Sequence, residues 1–397
     1  MVKYRFNRME MAGSLGDLGT LLPIALAMIL VNGMDPVGIF VSIGLFYVLS
    51  GAYYRLTVPV QPMKVIGAYA VATALPPGQI LASCLLMGIL LIALGTTGAM
   101  DVVRKYTPKA VIRGVQFSTG ALLVSGGVKF ILGTSGFQAL RQVAEPYLLL
   151  QSLGPLPMGW IIGAVGGLVT LLLLNHEKYP AGLVVVLGGL GLGFILGVPL
   201  EWTTGFGFHL PQFMPFPFPG MPDFSFALLG LVLPQLPMTL GNAVLAYADL
   251  SKEYFGEDSA RVTHKSACIS MGLANILAFC LGGMPLCHGA GGLAAHHRFG
   301  ARTAGSNLMI GAVFLVLALG LGPDVVLFFN RIPMAILGIL LVFAGVQLCL
   351  TPMDLNTRKE FFVVALILGI TLAANLAVGF LVGLAVAHLL KWEKLSV

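Results

Sequence analysis

Charge is scarce in this chain of 397 residues. Asp, Glu, Lys and Arg together supply 10% of it, against about 25% in an ordinary soluble domain. With 57% of residues apolar, that scarcity excludes a water-solvated globule and points to an integral membrane protein. Cysteine is sparse as well. Cys84, Cys268, Cys280, Cys287 and Cys349 are scattered and form no C-x-x-C pair, which excludes a disulfide framework and a thiolate zinc site. There is no G-x-x-x-x-G-K-[ST], and neither glycine cluster makes G-x-G-x-x-G after a strand, so a nucleotide phosphate loop is excluded. His296 and His297 follow His288 by eight and nine residues, about 12 Å along a helix, so no metal is expected. A membrane-embedded hydrolase would need clustered ligands that the sequence lacks, and no cofactor is expected. The net charge of +6 would suggest a nucleic-acid partner in a soluble protein; in a membrane protein it reports topology, and no nucleic acid is expected.

What is abundant is apolar sequence in continuous runs, each about as long as the 17 to 25 residues an α-helix needs to cross a bilayer. The runs do not alternate, which argues against barrel strands. Fourteen all-α segments are predicted near 11–31, 36–53, 60–74, 79–98, 108–130, 157–174, 181–198, 225–247, 263–281, 285–297, 303–321, 332–350, 361–375 and 376–391. The first contains Asp17 and Pro23 and lacks a small-residue cleavage site, so it reads as a retained helix and not a signal peptide. With the N-terminus inside, 18 of the 22 Lys and Arg residues fall on the cytoplasmic side. Only Arg141 and Arg331 fall outside, while Lys64 and Lys129 lie within or at the end of segments. Both termini are therefore expected in the cytoplasm, and the 199–224 loop, with Glu201 and Asp223 but no Lys or Arg, is expected outside.

The two halves match each other weakly but in order. Pro108 aligns with Pro333, Ala110 with Ala335 and Gly120 with Gly345; Pro62 aligns with Pro285, and Thr20 with Thr239. The shifts, 225, 223 and 219 residues, are nearly equal. Seven segments per copy is odd, so the copies enter the membrane from opposite sides as an inverted repeat: 1–198, the 199–224 loop, and 225–397.

Short or Pro/Gly-interrupted segments in matching places mark a transporter's binding site. "PVQPMKVIG" (59–67) and "GMPLCHGAGG" (283–292) are such a pair. Proline suits the first turn of a helix, and irregular backbone inside a bilayer must line protein or a wet cavity. Both stretches read as extended leads into half-helices whose N-termini point at one central spot, and two positive helix ends with free N–H groups suit an anion. Gly289, Gly291 and Gly292 let a ligand approach the backbone. Close helix packing is the alternative use of such glycines, and it is preferred for "GGLGLGFILG" (188–197).

In "LPQLPMTLGNAVLA" (233–246) two prolines should break the helix, and Gln235, Thr239 and Asn242 recur at helical spacing on one face. The matching "GSLGDLGT" (13–20) should bend and places Ser14, Asp17 and Thr20 within the first segment. For each polar group the alternative is an interhelical hydrogen bond. Asp17 and Lys64 are the costliest residues to bury and are expected to pair, with Lys64 adding positive potential for an anion. Asp17 is also a coupling candidate, protonated in step with transport. His288 could donate to an anion or sit satisfied in the core; His296 and His297 are expected at the cytoplasmic rim.

"GSLGDLGTLLPIALA", "PVQPMKVI", "PQLPMTLGNAVLA" and "CHGAGGLAAHHRFGART" together resemble the signature segments of the molybdate transporter family, a branch of the sulfate-permease superfamily. The resemblance runs from about residue 10 to about residue 390. It implies seven plus seven inverted spans, a core domain of spans 1–4 and 8–11, and a gate domain of spans 5–7 and 12–14. It implies a secondary transporter importing molybdate by alternating access, not an enzyme, in a cell inner membrane, with a proton or cation as co-substrate and a homodimeric assembly. The implied ligands are Gln61, Lys64, Gln235, Cys287, His288, Gly289 and Ala290, with Thr20, Thr239 and Asn242 next. The chain stops at Val397, so the cytoplasmic regulatory domain common in sulfate permeases is not expected. Sulfate or tungstate carriers are the near alternatives, and a nucleobase permease of the same architecture is the distant one. A channel is disfavoured, because an occluding site between two repeats serves alternating access.

Overall fold

The computed structural model describes residues 4–99, 105–174, 176, 179–199 and 206–392. Lys3, Arg104, Lys178, Glu201 and Lys394, used above for topology, lie outside the described residues. Each predicted segment falls on a helix. In chain order these are α1 (Arg8–Ser14), α2 (Leu18–Asn32), α3 (Pro36–Tyr54), α4 (Lys64–Thr73), α5 (Pro77–Thr97), α6 (Lys109–Leu132), α7 (Gly136–Arg141), α8 (Met158–Leu173) and α9 (Ala181–Leu196). They are followed by α10 (Met221–Ser259), α11 (His264–Leu281), α12 (Ala290–Arg298), α13 (Ala304–Leu321), α14 (Val325–Phe329), α15 (Met334–Cys349), α16 (Arg358–Ala373) and α17 (Leu376–Leu389). Four two-residue strands accompany them: β1 (Gln61–Pro62), β2 (Ser152–Leu153), β3 (Leu156–Pro157) and β4 (Leu286–Cys287).

Among the described residues seven helices are long and apolar enough to cross a membrane, eight if the bent pair α1 and α2 is one span. Helices α4, α8, α9 and α17 are apolar but shorter. Proline opens many of them. It is the first residue of α3 and α5 and stands just before α6, α8, α9 and α15, where its missing N–H costs nothing. Asp35 also caps α3, accepting from the Gly38 N–H at 2.6 Å. Glycine closes others, as at Gly98 and Gly282 with φ of 73° and 70°, the left-handed turn that a side chain resists.

The two predicted irregularities behave differently. Between α1 and α2 the chain bends by 47° at Leu15–Asp17, as the glycines suggested. The break expected at Pro234 and Pro237 does not occur, and α10 runs on for 39 residues. Wider π-type turns at Ala227–Val232 and Thr239–Ala246 flank the prolines, and such turns accommodate a lost backbone donor without ending the helix.

Small residues let the long helices cross closely. Helices α6 and α15 meet at Gly120 with Gly345 and Gly127 with Gly338; α3 meets α13 at Gly44 with Gly311, and α5 meets α11 at Gly88 with Gly272. A Cβ on Gly120 would fall 2.6 Å from the Gly345 carbonyl oxygen, and one on Gly345 equally close to that of Gly120. Every one of these crossings joins the first half of the chain to the second.

Candidate functional site

The site is built around the two leads. Strands β1 and β4 pair antiparallel, Gln61 opposite Cys287 and Pro62 opposite Leu286, and the Met63 N–H donates to the Pro285 carbonyl at 2.9 Å. Helices α4 and α12 leave this ribbon in opposite directions, so both N-termini face it. Two asparagines hold the leads in place. Asn307 of α13 accepts from the Val58 N–H and donates to the Val58 carbonyl, both at 2.8 Å. Asn275 of α11 does the same for Leu286, at 3.1 and 2.8 Å. Extended backbone in an apolar interior must find such partners, and each amide supplies a donor and an acceptor. Neither asparagine stands in a segment that sequence pattern singles out for the site, although an asparagine inside an apolar helix is a readable signal.

His288 locks the same ribbon. Its Nδ1 lies 3.0 Å from the Pro59 carbonyl and its Nε2 2.9 Å from Ser270 Oγ. Phe46 and Tyr247 flank the ring, with centroids at 4.7 and 5.2 Å. The imidazole is wholly buried and satisfied on both nitrogens.

The two half-helix starts are finished differently. Gln235 reaches from α10 to α4, where its Oε1 accepts from the N–H groups of Val65 at 2.9 Å and Ile66 at 3.3 Å. Its Nε2 donates to Thr239 Oγ1 at 2.8 Å. Gln235 and Thr239 are thus spent inside the protein. At α12 the capping position is Gly289, which has no side chain to offer. The Gln61 amide lies against this turn, so close that a Cβ on Gly289 would come within 2.3 Å of Gln61 Oε1 and 3.7 Å of Asn242 Nδ2. Gln61 Oε1 is buried and has no hydrogen-bond partner among the described residues.

A cavity of about 520 Å³ opens beside these two starts. One wall carries Gly16, Asp17 and Thr20, then Gln61 and Lys64, then Pro237, Gly241 and Asn242 of α10, and Gly291 and Ala295 of α12. The facing wall carries Lys109, Arg113 and Gln116 of α6 with Ala344, Gln347 and Thr351 on the α15 side. Of the predicted residues, Thr20, Gln61, Lys64, Asn242 and Asp17 line it. Gln235, Thr239, Cys287, His288, Gly289 and Ala290 stand behind the lining, and the Cys287 thiol turns to the Pro62 carbonyl at 3.6 Å. Lys109 on the facing wall and its neighbour Asp354 are exposed. Asp354 receives Lys109 at 3.0 Å and the Nε and Nη2 of Arg113 at 2.9 and 2.5 Å, while Arg113 Nη1 donates to Gln116 Oε1 at 2.8 Å. From the sequence, Lys109 and Arg113 are read only as two of the 18 cytoplasmic Lys and Arg residues.

Two expectations about charge need correction. Asp17 does not pair with Lys64, which makes no ion pair and no hydrogen bond among the described residues. Asp17 Oδ1 instead accepts from the Tyr47 hydroxyl at 2.9 Å and lies 3.2 Å from His296 Nε2. His296 is not at a rim; it is wholly buried, because the short α12 points it inward while His297 stacks on Tyr254 at 3.9 Å.

The comparisons with known proteins agree with this architecture. The family model described as "Molybdate transporter of MFS superfamily" matches residues 9–123 and 227–348. Molybdate transporter 1 of Arabidopsis thaliana is 32% identical, covering 96% of this chain and 87% of the relative. Molybdate transporter 1 of Chlamydomonas reinhardtii is 28% identical over 94% of this chain and 90% of its own length. Among solved structures, the transmembrane domain of the cyanobacterial bicarbonate transporter BicA superposes with a TM-score of 0.66 at 18% identity, covering 97% of this chain and 98% of that one. Murine Slc26a9, an anion transporter in the inward-facing state, gives 0.66 at 17% identity over 98% and 69%. The chain belongs to the molybdate transporter family, a family of membrane transporters rather than enzymes, and has the fold of BicA and Slc26a9.

Proposed function

We propose that the chain is a secondary transporter that carries molybdate, a tetrahedral dianion, by alternating access, inward across a cell inner membrane with both termini in the cytoplasm. The observation that carries this reading is the unpaired Lys64 at the first turn of α4, on the wall of a cavity that also receives Gln61, Thr20, Asn242 and the glycine-only start of α12. A half-buried ammonium that makes no direct ion pair among the described residues favours a ligand that supplies one. N–H groups at a helix start suit an oxyanion, and Gly291, whose added Cβ would meet nothing within 4 Å, leaves the approach open. Gln61, Lys64, Thr20 and Asn242 are the proposed contacts. Gln235, Thr239, Cys287, His288, Gly289 and Ala290 are proposed to shape the site from behind.

The inverted repeat is supported by the glycine crossings, the β1–β4 ribbon and the bonds of Asn307 to Val58, each joining a part of one half to a part of the other. On this reading α1–α5 and α10–α13 form the core, and α6–α9 and α15–α17 the gate. A second cavity of about 680 Å³ lies between the far ends of α2 and α4 and α6, with Leu30, Val71 and Lys129 among its lining. Two cavities at opposite ends of one core–gate interface suit a rocking mechanism, with the cavity at Lys109 and Arg113 facing the cytoplasm. Titrating the purified chain with molybdate, tungstate, sulfate and uracil tests the reading. Molybdate should bind in competition with tungstate, and uracil should not; binding of uracil alone would replace the oxyanion reading with a nucleobase one.

A further inference from the structure

Asp17 is 3% exposed and lines the anion cavity, yet its buried Oδ2 has no hydrogen-bond partner among the described residues. Its Oδ1 is held by Tyr47 and approached by His296 Nε2 at 3.2 Å. The other ring nitrogen of His296 lies 2.8 Å from Thr57 Oγ1, and Thr57 in turn receives Ser306 Oγ at 2.8 Å. A carboxylate, an imidazole and two hydroxyls therefore form one buried chain that begins at the cavity. Imidazole carries a hydrogen-bonding nitrogen on each side, so it can hold a proton between the carboxylate and the hydroxyls.

The charges make the need clear. The inner cavity wall offers one cation, Lys64, and one carboxylate, Asp17, which cancel. A dianion brought there would be left uncompensated in a low-dielectric interior, which costs several kcal/mol. A proton added to the Asp17–His296 pair supplies a positive charge beside the anion and withdraws it when the anion leaves. Resting on the anion reading above, we infer that Asp17 and His296 together bind the proton that is carried with each anion, with Thr57 and Ser306 orienting the ring. The other ionisable groups around the pair have separate duties. Tyr47 of α3 donates to Asp17. Lys64 of α4 faces the cavity. Glu10 of α1 is occupied by the Arg302 and Thr303 backbone, and His297 of α12 is stacked on Tyr254 of α10.

The test counts anion and proton in one titration. The purified full chain in lightly buffered solution near pH 6.5, followed with a pH indicator, should take up about one proton per molybdate bound. Affinity should tighten by up to about tenfold per pH unit as pH falls from about 8 to about 5.5. In proteoliposomes an inward proton gradient should drive uptake, and a sodium gradient should not. His296→Gln should abolish the proton uptake, and Thr57→Val, which leaves both ionisable groups in place, should shift the pH dependence. Binding without proton uptake in the unaltered protein, uptake driven by sodium, or undiminished proton uptake in His296→Gln would each overturn this inference alone. Absence of any oxyanion binding would sink the anion reading and this inference with it.

Discussion

The two half-helix starts occupy matching places in the chain and are finished in opposite ways. At α4 the first N–H groups are consumed by Gln235, and the charge is carried by a side chain, Lys64. At α12 there is no capping side chain and no charge, only Gly289, Gly291 and Gly292 with the Gln61 amide laid across them. One start is closed and cationic; the other is bare backbone. The difference teaches that an inverted repeat need not give two equal halves of a site. One copy supplies potential and the other supplies access, and the pair makes an asymmetric cradle for one anion.

The comparison breaks most readily at Lys64. Lys64→Gln should lower molybdate affinity by at least about 30-fold, measured by calorimetry, since loss of one member of a desolvated charge pair costs about 2 to 5 kcal/mol. An unchanged affinity would place the anion elsewhere.

The glycines sharpen it next. Gly289→Ala puts a methyl 2.3 Å from Gln61 Oε1, so Gln61 must swing away and affinity should fall about tenfold, with some loss of thermal stability. Gly291→Ala meets no neighbour, so stability should stay unchanged while the methyl enters space the anion needs. Equal stability loss in both variants would show that these glycines serve packing alone.

Much of this asymmetry was legible in the sequence and some was not. Helix positions followed from apolar runs with proline at their starts, and the two extended leads followed from Pro62 and Pro285 in matching places, though their pairing as β1 and β4 did not. The fate of Gln235 did not follow. Period and polarity put it on a face with Thr239 and Asn242, but whether an amide points into a cavity or onto a neighbouring helix start depends on tertiary placement. Pro234 and Pro237 misled for a related reason, because a helix supported on all sides can widen into π turns instead of breaking. His296 was misplaced by counting residues toward a membrane surface. In a helix of nine residues a few positions carry a side chain from rim to interior.

Smaller effects separate two kinds of cap. Gln235→Ala leaves two buried N–H groups without an acceptor and should cost about 1 to 3 kcal/mol of stability, with a smaller loss of affinity than Lys64→Gln. Glu145 performs the same duty at α15, accepting from the Met334 and Ala335 N–H groups at 2.8 and 2.9 Å, but it can ionise. Burial pushes its carboxyl up to about 7 from an ordinary 4.5 despite those two bonds. The folded state thus favours the protonated form, and that advantage is full below about pH 4.5 and is lost as pH rises through about 7. Thermal melts of the unaltered protein and Glu145→Gln should therefore diverge across this window, with the unaltered protein losing stability relative to the variant as pH rises. Parallel melts from pH 4.5 to 8 would contradict that account of Glu145.

The most direct measurement is a structure of the protein soaked with molybdate, with the metal located by its anomalous scattering. The anion should lie between the α4 and α12 starts, within reach of Lys64 Nζ, the Gln61 amide and the backbone at Gly291. Molybdenum found only at the outer mouth beside Lys109 and Arg113, with the inner wall empty, would contradict the account.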